Sequence, residues 1–211
     1  MGTERASDIA YGELQTRILD LRLAPGEFMN EQALAADLGL GRMPVREALA
    51  RLAKDRFVSI MPRHGIVVTP LTLDGVLDMF EAREAIECGV AYIAALRATQ
   101  EDLSIVKRLA DTVDQSRVSS DPEQFLKDDH ALHTFLVHMI RNPLLQDAAD
   151  RLLLHSLRFW RLYWKNRVPR TDAMLSHADL LVALENRDPE AAEKAMRNHL
   201  QQSRQLVQLL F

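Results

Sequence analysis

One carboxylate and three imidazoles in the C-terminal two thirds of the chain have a spacing that suits metal binding. Asp129 and His133 are four residues apart, which on a helix places both side chains on one face, one turn apart. His177 falls early in the next-to-last predicted helix and His199 in the last, so both rings can converge from facing helices. This set of ligands suits Zn²⁺, Ni²⁺, Fe²⁺, Mn²⁺ or Co²⁺, with positions left for water or a ligand. The alternative is that the histidines are structural, as scattered histidines usually are.

Two other polar residues belong to the same part of the chain. His130 adjoins Asp129 but lies about 100° away from it around the helix, so we interpret it as a surface residue or a support for the ligands. Arg83 lies one turn before Glu87 and can offer a carboxylate two parallel hydrogen bonds. Its partner is either a bound carboxylate effector or the side chain of Glu87 or Glu84. The sequence leaves both interpretations open.

Bulky aromatic residues recur at helical spacing before His177. Trp160 and Trp164 are four residues apart, with Phe159 and Tyr163 beside them. Aromatic residues at this spacing form core more often than a recognition surface. We therefore predict core packing for this stripe rather than the wall of a ligand cavity.

A second pattern, of arginines on a short helix, points to nucleic acid. Pro44 suits the first turn of a helix, which predicts a start near Met43 and Pro44. Arg42 and Arg46 then point outward, where guanidinium groups can bind guanine or phosphate. Between Gly41 and Arg63 there are six basic and two acidic residues. The opposite face of the helix has four apolar residues at helical spacing that can enter a core, Val45, Ala48, Leu49 and Leu52.

The segments around this helix predict a winged helix-turn-helix. A helix over 31–38 follows a possible Asn30 N-cap and ends at Gly39. The β-prone segments 57–60 and 66–68 flank a polar turn, which is how a wing is built. The alternative is that the arginines form only a solvated helix face. We predict DNA contacts from Gln32, Arg42, Met43, Arg46, Arg51, Arg63, His64 and Gly65.

The rest of the chain predicts a helical bundle. Cap residues and helix-starting prolines place helix starts near residues 73, 100, 122, 143, 171 and 189. Six helices of roughly 15–25 residues joined by short turns make an antiparallel bundle. The predicted fold class is therefore mainly α, with a winged helix-turn-helix domain over 1–70 and a six-helix bundle over 71–211.

Composition and charge are compatible with this division. The 211 residues are 47% hydrophobic, enough for two small cores. The single cysteine excludes an internal disulfide, and no apolar segment resembles a signal peptide or a membrane span, so we expect a cytoplasmic protein without a membrane role. Residues 1–70 have nine basic and nine acidic residues, so the net charge of −4 comes from residues 71–211. A local basic stripe on a neutral domain suffices for phosphate contact.

The N-terminal motifs resemble the DNA-binding domain of the GntR family of bacterial transcription regulators. The resemblance runs from about Ile18 to Val68. The family usually has hydroxyl residues where this chain has Gly41 and Met43, and glycines where it has Leu21 and Arg56. The matching residues are Pro25-Gly26, Glu31, Leu34-Ala35, Pro44-Val45-Arg46-Glu47-Ala48-Leu49, Leu52 and Gly65.

The bundle resembles the ligand domain of the FadR-type branch of this family, in its shorter six-helix, vanillate-regulator-like subtype. The residues that carry the resemblance are Arg83 with Glu87, Asp129 with His133, Asn142-Pro143-Leu144-Leu145, His177 and His199-Leu200. In that domain the aspartate and three histidines hold a metal. The resemblance thus implies a divalent metal on Asp129, His133, His177 and His199 and a small carboxylate metabolite as effector.

The function predicted from the sequence is that of a ligand-responsive DNA-binding transcription regulator. The resemblance implies a repressor more often than an activator, and we expect a homodimer that reads an inverted repeat operator in double-stranded DNA. One alternative is a metal-dependent, hydrolase-like enzyme that activates water at the bundle metal. Another is a regulator with structural histidines and a metal-free pocket.

Overall fold

The chain divides into two compact units, Met1–Thr72 and Leu73–Phe211. The structure is a computed structural model that describes residues 5–61, 65–118, 121–167 and 176–208. No helix within these ranges is long and apolar enough to cross a membrane. The mainly α fold predicted from the sequence is confirmed, with a small wing sheet in the first unit and helices in the second.

The first unit consists of three helices and a small antiparallel sheet. Four apolar residues of its third helix, Val45, Ala48, Leu49 and Leu52, are fully buried, as predicted. The strand order in the sheet is β1-β3-β2, with Ser59 opposite Val67 in the wing. The elements are α1 (Ala6–Leu19), β1 (Phe28–Met29), α2 (Glu31–Leu38), α3 (Arg42–Lys54), β2 (Val58–Met61) and β3 (Gly65–Val68).

Local caps fix the boundaries of α2 and α3. The Asn30 side chain accepts hydrogen bonds from the backbone N–H groups of Gln32 and Ala33, and Gly39 ends α2 in a left-handed conformation with φ 64°. The extended backbone at Gly41 lets α3 begin at Arg42. The predicted start near Met43 and Pro44 was thus slightly late. Pro44 occupies the third helical position. A backbone N–H at this position has no hydrogen-bond partner within the helix, so proline, which lacks the N–H, fits there without losing a hydrogen bond.

The second unit contains six helices within the described residues. The sequence placed five of their starts correctly, and the sixth predicted start, near residue 171, lies outside the described residues. The fifth helix of the unit begins at Ala178 and has only eight residues, and His177 is its N-cap rather than one of its helical residues. The helices are α4 (Leu73–Arg97), α5 (Gln100–Val118), α6 (Pro122–Met139), α7 (Pro143–Arg167), α8 (Ala178–Glu185) and α9 (Pro189–Gln208).

The core of the second unit forms where α4 packs on α9 and α7, and α6 packs on α5 and α7. Aromatic side chains of α4 and α7 meet in this core. Phe80 lies edge-on to Phe159 and Trp160, with ring centroids 6.5 and 6.2 Å apart. Phe159 and Trp160 are buried, as expected for core packing, whereas the side chain of Trp164 lies outside the described residues.

Candidate metal centre and DNA-contacting surface

The structure brings Asp129, His133, His177 and His199 together inside the second unit. One side-chain ligand atom from each residue lies within 4.8 Å of those of the other three. Helix α6 contributes Asp129 and His133 one turn apart, while His177 precedes α8 and His199 lies on α9. The Nε2 atoms of His133 and His177 are 3.2 Å apart, and Asp129 Oδ1 is 3.5 Å from His177 Nε2. Two ligands about 2.0–2.2 Å from one ion cannot be more than about 4.4 Å apart. These two distances meet that limit, and pairs separated by up to 4.8 Å would have to approach by at most about 0.4 Å to share an ion.

A buried carboxylate orients His133 towards the cluster. His133 Nδ1 lies 2.6 Å from Glu87 Oε2. Burial raises the pKa of Glu87, but the charge of Arg83 and the hydrogen bonds from Arg83 and His133 outweigh burial and hold this pKa below its usual range. The ionised carboxylate must accept the hydrogen bond, so Nδ1 donates and Nε2 is the ring atom that faces the cluster. This carboxylate–imidazole arrangement is common behind metal-binding histidines.

Arg83 anchors the Glu87 carboxylate in turn. Its Nε donates to Glu87 Oε1 at 2.6 Å and its Nη1 donates to Ser156 Oγ at 2.7 Å. The side chain is almost completely buried. Of the two interpretations left open by the sequence, the structure therefore shows the ion pair with Glu87, while Glu84 pairs with Arg197.

Two histidines of the cluster, His177 and His199, are set up as neutral ligands. Burial lowers the pKa of both well below the usual value, and the positive charge of Arg83 contributes in the same direction. Burial also raises the pKa of Asp129, more than His133 and Arg83 lower it. A cation would reverse that shift and favour the carboxylate, because opposite charge stabilises the ionised form.

Two buried atoms of the cluster need a partner that the described residues do not supply. Asp129 Oδ1 and His199 Nδ1 are buried without a hydrogen bond within the described part of the chain. Buried polar groups without a partner are rare in folded proteins and often mark an ion or water site. Neutral imidazoles and a carboxylate with free electron pairs are the ligands that Zn²⁺ and its neighbours prefer. The residues therefore fit a divalent metal, and the cluster could hold one.

A cavity of about 240 Å³ adjoins the cluster. Two of the candidate ligands, Asp129 and His133, form part of its wall, so a bound molecule could reach the cluster from this side. His130 also lines the cavity, and burial lowers its pKa to about 4. The sequence stripe around Trp160 thus has a second role that we did not predict, because Trp160 is both core and cavity wall. The lining residues are Arg83, Leu126, Asp129, His130, His133, Leu153, Ser156, Leu157 and Trp160.

In the first unit, α3 exposes the residues predicted to contact DNA. The side chains of Arg42 and Arg46 are 67% and 68% exposed, and Met43 is 63% exposed. The guanidinium groups of both arginines lie near Glu31 of α2, with Arg46 Nε 3.3 Å and Arg42 Nε 3.7 Å from its carboxylate. Exposed ion pairs of this kind contribute only about 0–1 kcal/mol to stability. Both arginines can therefore leave Glu31 and bind DNA instead. Gln32, at the start of α2, is also exposed.

The remaining predicted DNA-contacting residues fall into two groups. Arg51 donates to Asp8 at 2.6 Å and lies over the Tyr11 ring, so it already ties α3 to α1. Gly65 opens β3 with φ 97°, a left-handed conformation that suits the exit from a tight wing turn. Arg63 and His64 at the predicted wing tip lie outside the described residues.

Known families match both units. Residues 6–68 match the bacterial regulatory proteins of the gntR family, and residues 78–202, more than half of the chain, match the FCD domain. An HTH-type transcriptional regulator in an unstable DNA locus of Streptomyces ambofaciens is 33% identical over 191 residues, covering 90% of this chain and 80% of that protein. The chain belongs to the GntR family.

Other relatives of this GntR regulator agree with the assignment. The HTH-type transcriptional repressor RspR of Escherichia coli K12 is 29% identical over 203 residues, covering 95% of this chain and 88% of RspR. The solved structure of E. coli McbR/YncC matches with a TM-score of 0.80 at 21% identity, covering 98% of this chain and 99% of that one, which supports the fold. The GntR regulator is a DNA-binding transcription regulator and not an enzyme, so the hydrolase-like alternative is set aside.

Proposed function

We propose that this GntR regulator is a repressor whose affinity for its operator depends on a divalent metal and a small carboxylate effector in the second unit. The observation that carries the proposal is the convergence of Asp129 and three buried histidines, in a chain that belongs to a family of DNA-binding regulators. The operator, the effector and the metal act on one another because a ligand that binds one state of the protein better shifts its population.

In the first unit, α3 and the wing contact DNA. Arg42 and Arg46 read base edges or phosphates from the exposed start of α3, and Gln32 and Met43 adjoin them. Arg51, Arg63, His64 and Gly65 complete the proposed surface. One winged domain makes few base contacts, so a twofold homodimer on an inverted repeat doubles them and gives specificity.

In the second unit, Asp129, His133, His177 and His199 would hold Zn²⁺, Ni²⁺, Mn²⁺, Fe²⁺ or Co²⁺. The ion would supply a Lewis acid that binds a carboxylate oxygen of the effector. Glu87 fixes the His133 ring, and Arg83 keeps Glu87 ionised. Arg83 also lines the cavity, and its N–H groups that are not bonded to Glu87 or Ser156 would donate to the same effector.

The DNA-binding part is tested by selection from genomic DNA of the source organism. Metal-loaded protein is mixed with sheared fragments at moderate salt, and the retained fragments are sequenced. We expect enrichment of a short inverted repeat, and no enrichment with Arg46→Ala. Retention of random fragments, with or without metal, would contradict specific operator recognition.

The metal part is tested by elemental analysis after supplementation with each ion. We expect about one ion per chain, lost in His177→Ala. His138→Ala is the matched control because His138 pairs with Asp150 on the surface, away from the cluster. Wild-type protein with fewer than about one ion per ten chains would refute the metal and favour structural histidines.

A further inference from the structure

The lining of the cavity beside the cluster is of two chemical kinds. Its polar part contains Asp129 and His130 beside a connected group, in which Arg83 donates to Ser156 and to Glu87, and Glu87 accepts from His133. Its apolar part comes from Leu126 of α6 and from Leu153, Leu157 and Trp160 of α7. The three α7 residues have the spacing of one helix face, so that face forms an apolar wall in which Ser156, which accepts from Arg83, is the polar member.

The charges at the cavity are almost balanced before any effector enters. Among the described residues of the lining, the arginine, lysine and acidic side chains are Arg83 and Asp129, and the positive charge of Arg83 is already matched by Glu87 at 2.6 Å. A divalent ion beside Asp129 would leave a single unbalanced positive charge. One carboxylate group neutralises that charge, whereas a second carboxylate would bring a buried charge without a partner, which is costly.

The apolar wall disfavours hydroxyl groups. Leu126, Leu153 and Leu157 have no polar atom in their side chains, so a hydroxyl placed against them would lose its water and gain no hydrogen bond. Trp160 is held in place by edge-on contacts with Phe80 and Phe159, at centroid distances of 6.2 and 4.9 Å. The wall is therefore formed before the effector binds, which favours a rigid apolar group.

The size of the cavity limits the effector. The volume of about 240 Å³ includes space that is open to solvent, so it is an upper bound on what a bound molecule can fill. Even this bound is below the range of about 300–1,000 Å³ for drug-sized ligands. The effector is thus an acid of only a few carbon atoms or one small ring.

We infer that the effector is a small monocarboxylate with an apolar remainder, such as a short branched aliphatic acid, and not a sugar acid or a dicarboxylate. The inference rests on the proposed metal- and acid-binding function of the second unit. It deepens that function by naming the part of the acid that the protein selects. Selection comes from the leucines and Trp160, while the polar cluster binds the carboxylate that all acids share.

The test compares three acids on full-length, metal-loaded protein by titration calorimetry at one pH. Isovalerate has an apolar remainder, glycerate is of the same size but hydroxylated, and succinate has a second carboxylate. We expect isovalerate to bind at least about tenfold more tightly than either, and to raise the thermal unfolding temperature when the others do not.

Two variants test whether the apolar wall causes the preference for isovalerate. Leu157→Asn is expected to reduce the ratio between isovalerate and glycerate affinities, while Leu144→Asn on the exposed side of α7 leaves it unchanged. The wild-type comparison does not depend on the folding of either variant. The metal content of each protein is measured before the acids are added. A failure to bind metal, which would contradict the proposed function, can then be distinguished from a change in acid preference.

Three results would overturn the inference. Tighter binding of glycerate or succinate than of isovalerate would show that the wall does not select apolar groups. A metal-loaded protein that binds none of the three acids would overturn it and leave the metal site standing. A metal-free protein without acid preference would overturn the inference together with the proposed function.

Discussion

At the scale of single residues, Glu87 controls how the cluster presents its ligands. Its carboxylate accepts hydrogen bonds from His133 Nδ1 and from Arg83, so two buried side chains depend on its charge. The sequence could pair Arg83 with Glu87 because they are one turn apart on a helix. It could not pair Glu87 with His133, since the two are 46 residues apart and meet only through the packing of α4 against α6. The convergence of Asp129 and the three histidines, by contrast, was predictable from spacing and resemblance together.

Glu87→Gln tests this control. The amide keeps the shape but not the charge, so His133 loses its carboxylate partner and Arg83 loses its counterion. We expect metal affinity to fall by about 10- to 100-fold, measured by competition with a chelator of known affinity. Glu84→Gln on the same helix, where Glu84 pairs with Arg197, is the control and should leave metal affinity unchanged. Equal affinities for wild type and Glu87→Gln would show that Glu87 does not support the metal.

Arg46→Ala tests the DNA-contacting face. A good base contact contributes about 1–3 kcal/mol, and about 1.4 kcal/mol corresponds to tenfold in affinity. We therefore expect a loss of roughly tenfold or more in operator affinity by fluorescence anisotropy, with an unchanged thermal transition because the side chain is exposed. Arg22→Ala, another exposed arginine of the same unit but outside α2 and α3, should bind as wild type. An Arg46→Ala variant with wild-type operator affinity would refute the assignment.

At the scale of elements, caps were easier to predict than short or irregular segments. Asn30 and Gly39 delimit α2 as expected, because each satisfies backbone groups by a local rule. The two-residue strand β1 was missed, since it is too short to show alternation and exists only through pairing with β3. Leu21 and Arg56 keep left-handed backbones, φ 60° and 63°, where the family usually has glycine. The two turns thus keep their left-handed backbone without glycine, the residue that would have predicted it from the sequence.

Gly39→Ala tests the αL end of α2. Alanine in a left-handed conformation costs about 1–2 kcal/mol, so we expect the free energy of unfolding to fall by about 1 kcal/mol in urea titrations. Gly12→Ala is the matched control in the interior of α1, where an added Cβ meets no heavy atom within 4 Å. It should raise stability by up to about 1 kcal/mol, since alanine is the better helix former. Equal effects of the two substitutions would contradict the role of the left-handed cap.

Cys88 on α4 reports on opening of the second unit. It is the only cysteine of the chain, and burial raises the pKa of its thiol to about 11. Because the thiolate is the reactive form, iodoacetamide at pH 8 should modify Cys88 only when the unit opens. A metal that joins α6, α8 and α9 should slow this reaction by about a hundredfold at 100 times its dissociation constant.

The control for the cysteine experiment is His177→Ala, followed by mass spectrometry under the same conditions. Labelling of this variant should proceed at the same rate with metal and with chelator. If the labelling rate of the wild type were also the same with metal and with chelator, the ion would not hold these helices together.

At the scale of the whole molecule, the proposed function assigns DNA to the first unit and small ligands to the second. The first unit is neutral overall with a local basic stripe, and the net charge of −4 lies entirely in residues 71–211. Composition could show this asymmetry, and the helical periodicity could show two fold types. The sequence alone could not show which acid would fit the second unit, because residues of α4, α6 and α7 form the cavity wall only when these helices pack together.

Control of the regulator through its second unit is tested most directly by measuring how the ligand changes operator affinity and how the operator changes ligand affinity. Operator affinity is measured by fluorescence anisotropy with chelator, with metal, and with metal plus the acid that binds most tightly in the calorimetric series. We predict that the acid shifts operator affinity by about 5- to 150-fold, and that the operator shifts acid affinity by the same factor. Identical operator affinity under all three conditions would contradict a regulator controlled through its metal and effector site.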